Sequence, residues 1–413
     1  MRSGFRNVVL GDPVLFLAVV ALSAFGILMI YSAGLVDVPH EVARGAWRNQ
    51  LLWWVLSLVL LPFVLRIRVL WLEWAARPIY AVAIVLLLLT LVIGTGAGTA
   101  ASTKSWIALG PVRFQPAEFA KIAVVLMLSH ELSGWREPPK TLWQLWRPIV
   151  ITLIPMGLVM LQPDLGSAMV FAGILVAGLF WAGTPLPTLF FLLTPVISLF
   201  LSINTWLWGA WIVLLVILLL LSRPYLSEAI SILLLNVAAG AAALPLWQSL
   251  EPYQKNRLLV FLNPAVDPRG AGYNLIQSRV AIGSGGAFGK GLFEGTQKRL
   301  AFLPEQHTDF IFAVIGEELG FFFGVLPVLL TYGLIFWRLV RIAERAEDPF
   351  ASLVPFCLFG SWFTHVLVNT GMTVGIMPIT GIPLPFLSYG GSFLLMNMMA
   401  MGIVQRIAAE SRG

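Results

Sequence analysis

Long apolar runs recur along almost the whole 413-residue chain, and they constrain its fold more than any other feature. A transmembrane helix needs about 20 consecutive residues that are mostly apolar. The chain has about twelve such runs, of which three are short and several in the middle are crowded together. We therefore predict an all-α polytopic membrane protein with about 10–12 transmembrane helices. The runs lie near residues 13–33, 50–65, 78–95, 116–131, 147–163, 165–183, 186–203, 205–221, 227–247, 308–337, 350–372 and 384–407.

The composition excludes the main alternatives to a membrane protein. Charged residues make up 11% of the chain, whereas soluble domains average about 25%, so neither a soluble multidomain enzyme nor a disordered chain fits. The net charge of +6 comes from basic residues in short loops rather than one stripe, and we expect no nucleic-acid partner. The single cysteine, Cys357, lies in an apolar run and is interpreted as a buried hydrophobic residue. The four histidines show no ligand spacing, so no zinc site is predicted.

The distribution of basic residues predicts the orientation of the chain. Cytoplasmic loops are enriched in Lys and Arg, and Arg2 and Arg6 precede the first run. That run is longer than a signal-peptide core and lacks a small-residue cleavage site, so we expect it to be retained. With the N-terminus in the cytoplasm, the C-terminus is cytoplasmic too, and residues 248–306 lie outside. The cytoplasmic positions then carry Arg66, Arg68, Arg77, Arg136, Lys140, Arg147, Arg223, Arg338, Arg341, Arg345, Arg406 and Arg412.

The predicted external segment 248–306 is too long to be a simple linker. Loops of this length in compact proteins are usually functional. Its basic residues suit either an anionic ligand at the membrane surface or plain solubility, and composition does not separate the two. The glycine-rich run 283–291 fails the phosphate-loop pattern, because Ser284 and Gly291 occupy required positions, and Phe288 breaks the dinucleotide-binding spacing.

Charged residues inside the apolar runs each need a reason, since an ionisable group in mid-membrane costs about 2.5–3.5 kcal/mol. Glu118 and Lys121 are three residues apart on one helix face, and we predict an ion pair that faces the bundle interior. From that pattern alone, a structural pair is favoured over a functional one. One or both of Glu317 and Glu318 are also expected to find partners inside the bundle. Asp164 begins a run and is interpreted as a helix cap rather than a catalytic group.

The segment 378–392 is apolar, yet three prolines and three glycines prevent a regular helix. Irregular backbone at membrane depth is tolerated only where protein or a water-filled cavity satisfies it. We therefore predict a re-entrant or broken segment before the last helix, lining a cavity that opens outside.

Asp267 is the strongest candidate for chemistry in the external segment. Two prolines and two glycines within residues 264–272 predict a rigid turn that holds it in place. A carboxylate near apolar walls can have a raised pKa and act as a general base. Arg269 could instead pair with Asp267 and leave it a structural anion. The residues alone leave both possibilities open.

Several blocks of sequence, in order, resemble the SEDS family of bacterial cell-wall polymerases (shape, elongation, division and sporulation), which includes RodA and FtsW. The most specific are DPRGAGYN at 267–274, FLPEQHTDFIF at 302–312 and GIPLP at 381–385. The blocks at 289–291, 295–297 and 381–385 resemble RodA more than FtsW. The other matching blocks lie at 113–121, 162–166, 253–257, 277–278, 281–286, 316–320 and 388–392.

The resemblance implies a peptidoglycan glycosyltransferase whose substrate is lipid II, a disaccharide-peptide on undecaprenyl pyrophosphate. The essential loop aspartate of the family falls on Asp267, which would take the proton of the acceptor sugar hydroxyl. The pyrophosphate leaving group needs positive charge beside it, from cationic side chains or from a divalent cation such as Mg²⁺ or Mn²⁺. No organic cofactor is expected. The cationic candidates are Arg48, Arg113, Lys121 and Lys290.

The resemblance also suggests roles for further residues and a partner. Glu118 and Lys121 would shape the cavity floor, Trp106 would line its rim, and Gln115 would join the substrate-binding set. A class B penicillin-binding protein, which is a transpeptidase, is the expected partner in an elongation or division complex at the bacterial cytoplasmic (inner) membrane. The supporting residues are Asp164, Gln277, His307, Asp309 and Glu317.

The chain departs from the family between residues 184 and 247. Relatives resembling RodA usually have ten spans, and this stretch is interpreted as two inserted helices in a single integral membrane domain covering residues 1–413, with 248–306 as its catalytic loop. A pair preserves parity and keeps Asp267 outside. Two other functions share the same features: a flippase or transporter of lipid-linked precursors, which predicts an internal repeat and a mid-bilayer site, and another polyprenyl-sugar transferase such as an O-antigen ligase.

Overall fold

The protein folds as a bundle of α-helices. The structure is a computed structural model, and it describes residues 10–36, 45–96, 105–110, 112–139, 141–250, 252–263, 271–299 and 305–412. The longest helices follow the predicted apolar runs, which confirms the predicted all-α class. The helices are α1 (Pro13–Ala33), α2 (Ala46–Arg66), α3 (Val69–Ile93), α4 (Pro116–Ser133), α5 (Trp146–Met160), α6 (Leu165–Trp181), α7 (Leu186–Leu201), α8 (Thr205–Ser222), α9 (Leu226–Ser249), α10 (Pro252–Leu262), α11 (Ala271–Gly285), α12 (Thr296–Arg299), α13 (Ile311–Gly320), α14 (Leu326–Arg345), α15 (Pro349–Val374) and α16 (Gly391–Glu410).

Within the described residues, nine helical segments are long and apolar enough to cross a membrane, counting α13 and α14 together and the 3₁₀ turn Leu142–Leu145 with α5. The apolar helices α6 and α7 are shorter. The remaining predicted span, α4, has 18 residues and carries Glu118 and Lys121. The chain is therefore a multi-pass membrane protein.

The observed helix ends correct two predicted boundaries. Helix α2 begins at Ala46, four residues before the predicted run, so Arg48 lies in its first turn rather than in a loop. Helix α3 begins at Val69, so Arg77 lies on the helix rather than in the preceding loop. Hydropathy places a boundary at the first charged residue, whereas a helix continues through charges at its exposed end.

Aspartate caps fix several helix starts. The side chain of Asp12 accepts a hydrogen bond from the amide of Leu15 at 2.9 Å, and Asp164 accepts one from Ser167 at the same distance. These caps satisfy amides that have no partner within the helix. The interpretation of Asp164 as a cap is confirmed.

Both ends of the described chain lie at the same end of the bundle. The amide of Asp12 donates to Oε1 of Gln405 at 2.7 Å, and Nε2 of Gln405 donates to the carbonyl of Asp12 at 2.8 Å. We call this end the terminal face. The opposite end, which holds Ser32 and Lys298, is called the loop face. An even number of crossings follows from this arrangement.

A small hairpin lies before α4. Strand β1 (Ile107–Leu109) pairs antiparallel with β2 (Val112–Phe114) in the register Ile107 with Phe114. Gly110 between them has φ +65°, in the left-handed region that favours glycine. The three-residue strands are too short for an alternating pattern, and sequence analysis did not predict them.

The predicted span 308–337 is interrupted at Gly320. Its φ is +70°, and the next five residues form a π-helical turn, Phe321–Val325, before α14. The glycine-rich run 283–291 packs against the break. The amide of Lys290 donates to the carbonyl of Glu317 at 3.1 Å, and the amide of Phe321 donates to the carbonyl of Gly286 at 3.0 Å. The run therefore replaces hydrogen bonds that the broken helix lacks.

Residues 378–390, which we call the re-entrant segment, are non-helical and mostly buried, as predicted. The carbonyl of Pro383 lies 2.9 Å from Nδ1 of His365. His365 precedes the last residue of α15 by nine positions, which is roughly 14 Å of helix. The segment thus descends well below the end of α15, and α16 begins only at Gly391, seven residues after the predicted start.

Helices α7, α8 and α9 form a side unit with its own small core of Phe191, Leu215, Leu219 and Ile232. Its polar centre is Asn236 of α9. Nδ2 of Asn236 donates to Oγ1 of Thr194 at 2.9 Å, and Nε1 of Trp211 donates to Oδ1 of Asn236 at 3.3 Å. Asn236 therefore connects all three helices. That residues 184–247 are an insertion stays a prediction.

Candidate functional site

The predicted ion pair of α4 is present and buried. Nζ of Lys121 lies 2.8 Å from Oε1 of Glu118, and both side chains are about 5% exposed. Burying two charges is costly unless their geometry and further hydrogen bonds compensate. The stability of the buried Glu118–Lys121 pair therefore depends on the polar groups around it.

His365 of α15 is the third member of this group, and sequence analysis missed it. Its Nε2 lies 3.0 Å from Nζ of Lys121, and its Nδ1 contacts the carbonyl of Pro383. The ring of Phe393 also lies beside Lys121, with its centroid 5.7 Å from Nζ of Lys121. A lone histidine in an apolar run was the only available signal. The structure gives it a partner 244 residues away.

A small cavity borders the three polar residues. Its wall combines the polar side chains with apolar ones from α4, α15 and α16. Trp362 in this wall is fixed by a 2.7 Å hydrogen bond from its Nε1 to Oδ1 of Asn397. A polar cavity beside a buried cation suits a water molecule or an oxygen of a ligand. The lining residues are Glu118, Lys121, Ile122, Leu358, Ser361, Trp362, His365, Met396, Asn397 and Ala400.

Side chains from several helices satisfy the backbone of the re-entrant segment. Nδ2 of Asn369 donates to the carbonyl of Ile382 at 2.7 Å, and the hydroxyl of Tyr332 donates to that of Pro385 at 2.7 Å. Gln50 of α2 donates to the carbonyl of Ser388 at 3.2 Å and accepts from the amide of Gly390 at 3.0 Å. These contacts meet the requirement that buried backbone groups be paired, so the segment has a fixed position beside His365.

The first residues of α4 and α6 meet beside the site. Nε2 of Gln115 lies 3.3 Å from Oδ2 of Asp164, and Oγ of Ser167 donates to the same oxygen at 2.8 Å. Gln115, predicted to bind substrate, therefore also connects two helix starts. The hairpin strand β2 leads directly into this corner.

Two lysines of the predicted external segment pair with the adjacent carboxylates of α13. Nζ of Lys290 lies 2.7 Å from Oε1 of Glu317. Lys298 is fully buried and pairs with Glu318, and its Nζ also donates to the carbonyl of Ser32 at 3.0 Å. Burial lowers the pKa of the Lys298 ammonium, and the neighbouring Glu318 carboxylate opposes that shift. The expectation that Glu317 and Glu318 find partners is confirmed.

Helix α11 is fastened to the end of α15. Oγ of Ser278 donates to the carbonyl of Thr373 at 2.8 Å, and Nη2 of Arg279 donates to that of Gly375 at 2.9 Å. The guanidinium caps carbonyls that the helix leaves without partners. The chain that follows residues 264–270 is thus anchored at the loop face.

The structure places the remaining predicted residues as follows. Arg48 is exposed, with its guanidinium 5.5 Å from the ring centroid of Trp47. Trp106 is half-buried and pairs through its backbone with Thr95, and Arg113 is exposed on β2.

The structure also places three of the predicted supporting residues. Gln277 is half-buried on α11. The carbonyl of His307 accepts from the amide of Tyr389 at 2.9 Å, and that of Asp309 accepts from Asn369 at 2.9 Å.

Asp267 and its neighbour Arg269 lie outside the described residues. Their predicted roles are carried by the sequence alone.

The divalent cation stays a prediction. Within the part of the chain that the structure describes, no three His, Cys, Asp or Glu side chains are grouped as metal ligands usually are. The described residues alone therefore do not form a metal site.

Comparison with known proteins gives consistent matches along the whole chain. The sequence matches the family FTSW_RODA_SPOVE, described as "Cell cycle protein", over residues 13–210 and 208–413. Peptidoglycan glycosyltransferase RodA of Treponema pallidum (strain Nichols) is 38% identical over 433 aligned residues, covering 97% of this chain and 98% of the relative. Peptidoglycan glycosyltransferase MrdB of Escherichia coli (strain K12) is 37% identical, covering 96% of this chain and 93% of the relative.

Solved structures agree with the sequence matches. A chain from a peptidoglycan synthase complex, described as coordinating polymerization and crosslinking, superimposes with a TM-score of 0.72 at 28% identity, covering 97% of this chain and 98% of that one. The rod shape determining protein RodA of Thermus thermophilus gives 0.63 at 27% identity, with the same coverage. Because the family model matches residues 13–210 and 208–413 and the fold matches over 97% of the chain, this chain belongs to the FtsW/RodA/SpoVE family.

Proposed function

We propose that this protein is a peptidoglycan glycosyltransferase that polymerises lipid II into glycan strands at the outer face of the cytoplasmic membrane. The observation that carries the proposal is the similarity, over 97% of the chain, to a relative named for this activity. The conclusion rests on the whole architecture rather than on one motif.

The geometry around Lys121 supports a site for an anionic, membrane-bound substrate. A buried ammonium beside a cavity can attract a phosphate oxygen more strongly than one in water, because the surroundings screen it less. The re-entrant segment contacts His365 of this group through the carbonyl of Pro383, and it carries no charged side chain between residues 378 and 390. Substrate charge would therefore be met by α4 and by the exposed arginines Arg48 and Arg113.

In the proposed reaction, a hydroxyl oxygen of the acceptor sugar attacks the anomeric carbon of the donor. The bond from that carbon to the lipid pyrophosphate breaks, and the electron pair leaves with the pyrophosphate. Asp267 accepts the hydroxyl proton as the general base. The turn predicted around Asp267 and the anchoring of α11 both support a fixed position for this carboxylate.

Positive charge beside the leaving pyrophosphate stabilises the transition state. Lys121, Arg48 and Arg113 are proposed for this role. Lys290 pairs with Glu317, as Lys121 pairs with Glu118, and it is proposed for the same role.

The proposed orientation puts the terminal face in the cytoplasm and the loop face outside. Arg338 and Arg406 lie near the terminal face, where Arg338 pairs with Asp12 and Arg406 with Glu410, and basic residues favour the cytoplasmic side. A transpeptidase of the class B penicillin-binding type is the proposed partner. The similarity to a chain from a peptidoglycan synthase complex supports it.

The decisive test is Asp267→Asn in the purified full chain with labelled lipid II, with and without the transpeptidase. Asparagine keeps the shape of the side chain but cannot accept the proton. We expect the rate of glycan-chain formation to fall about 100-fold or more, as general-base catalysis commonly contributes that factor. Gel separation of labelled glycan strands measures it.

Asp348→Asn is the matched control, because Asp348 caps α15 through the amide of Ala351 and asparagine can also cap. Unchanged polymerisation by Asp267→Asn would contradict the assignment of the base. Translocation of lipid II without polymer would favour the transporter, and transfer to a different offered glycan would favour a ligase.

A further inference from the structure

We propose that His365 is a positioning residue: its neutral imidazole, held by the carbonyl of Pro383, fixes the direction of the Lys121 ammonium toward the cavity. The proposal deepens the proposed function, and its catalytic part rests on it. Its structural part concerns hydrogen bonds that are present without substrate.

The partners of the ring determine where its proton lies. A carbonyl oxygen only accepts hydrogen bonds, so Nδ1 of His365, 2.9 Å from the carbonyl of Pro383, must carry the proton. An ammonium only donates, so Nε2, 3.0 Å from Nζ of Lys121, must present its lone pair. Only the neutral ring protonated at Nδ1 satisfies both contacts. The charge of the group therefore resides on Lys121 and Glu118.

These contacts restrict the rotation of the ammonium. Of its three N–H groups, one is directed to Glu118 at 2.8 Å and one to His365. The ring of Phe393 lies beside both Lys121 and His365, with centroid distances of 5.7 and 5.2 Å. Among the described residues, these acceptors leave the third N–H for an oxygen in the cavity that Lys121 borders.

His365 also connects the ammonium to the re-entrant segment. One ring contacts Pro383 on one side and Lys121 on the other. A shift of the segment would therefore move the acceptor of Lys121. Two segments far apart in sequence, 378–390 and α4, thus act on one cation through a single side chain.

Two amide substitutions separate the two contacts of the ring. In His365→Asn, the shorter amide can replace Nδ1 and keep the bond to Pro383, but it does not reach Lys121. In His365→Gln, the longer amide can place its oxygen near Nε2 and accept from Lys121. The variants are both neutral and polar, so they differ mainly in which partner they keep.

We expect lipid II turnover by the full chain to fall about tenfold in His365→Asn, because a hydrogen bond to a charged group is commonly worth at least that factor. In His365→Gln, turnover should recover most of this loss, while the melting temperatures of the two variants stay similar. His130→Gln, at a histidine on the opposite end of α4 that contacts Glu73, controls for loss of a histidine. Equal turnover in the Asn and Gln variants would overturn the positioning role.

Nitrogen NMR of ¹⁵N-histidine-labelled protein tests the tautomer without any activity. We expect the His365 signals to show a protonated Nδ1 and a bare Nε2, assigned by their loss in His365→Gln or, should that variant not fold, by variants of the other three histidines. A protonated Nε2 would overturn the proposal. If the wild-type protein makes no glycan, the proposed function fails, yet the nitrogen signals still decide the hydrogen-bonding claim.

Discussion

Every carboxylate or ammonium group buried within the described part of the chain has a polar partner. Several of these partners come from distant segments: Ser32 with Glu318, Asp12 with Arg338, and the amide of Leu142 with Glu228. Removing such a partner would leave an uncompensated buried charge. The free-energy cost of that charge is far larger than the net stabilisation that the contact provides. The buried charged groups therefore connect helices to one another, in addition to being candidate functional residues.

The fully buried pair of Lys298 and Glu318 gives the clearest prediction at this scale. Lys298→Met leaves the Glu318 carboxylate buried with only Ser32 beside it. We expect the free energy of unfolding to fall by about 3 kcal/mol, as for other broken buried pairs. Thermal and denaturant unfolding in a fixed detergent measure the change.

Two further variants make this prediction specific. Adding Glu318→Gln to Lys298→Met removes the uncompensated charge, so the double variant should regain part of the stability. Lys255→Met is the control, because the Lys255 ammonium is exposed and donates only to the carbonyl of Gln248. Equal losses in the Lys255 and Lys298 variants would contradict a special role for the buried pair.

Sequence reasoning predicted contacts within one helix better than contacts between helices. The Glu118–Lys121 pair follows from a three-residue spacing, and the Asp164 cap follows from its position before a run. His365 could not be assigned in this way, because its partner lies 244 residues away. Only the tertiary fold brings such residues together.

At the scale of elements, hydropathy located the helices but not the breaks within them. The run at 308–337 is mostly apolar, yet Gly320 adopts φ +70° and separates α13 from α14. The break depends on the run 283–291, which supplies backbone hydrogen bonds from outside the helix. The hydropathy pattern of one segment does not show which other segment packs against it.

The close contact between α11 and α13 predicts a sharp difference between two glycines of one helix. A Cβ at Gly285 would lie 1.9 Å from the carbonyl oxygen of Gly316, whereas one at Gly283 would meet no atom within 4 Å. Gly285→Ala should force the helices apart and lower the free energy of unfolding by about 1–3 kcal/mol. Gly283→Ala should leave it unchanged or raise it by up to about 1 kcal/mol. Paired unfolding curves test this, and equal effects would show that the contact is looser.

At the scale of the whole molecule, the described chain consists of a main bundle and the side unit α7–α9. The main bundle contains the site and the largest buried apolar cluster. The side unit touches it through limited contacts, including the 2.8 Å hydrogen bond from the amide of Leu142 to Glu228. This separation predicts that the side unit can be loosened while the main bundle stays intact.

Asn236→Leu tests that independence. Leucine removes the side-chain hydrogen bonds to Thr194 and Trp211 at nearly constant size. Such bonds average about 0.6 kcal/mol each inside membranes. We therefore expect hydrogen exchange in α8 and α9 to accelerate several-fold, as measured by mass spectrometry in nanodiscs.

Exchange in α4, α15 and α16 should stay unchanged, because their buried contacts do not involve Asn236. Ser231→Ala is the matched control, since Ser231 lies on the exposed side of α9 and bonds only within its helix, to the carbonyl of Ser227. An equal acceleration in the main bundle would mean that the two parts unfold together. In that case Asn236 would support the site, and the side unit could not be regarded as a separate attachment to it.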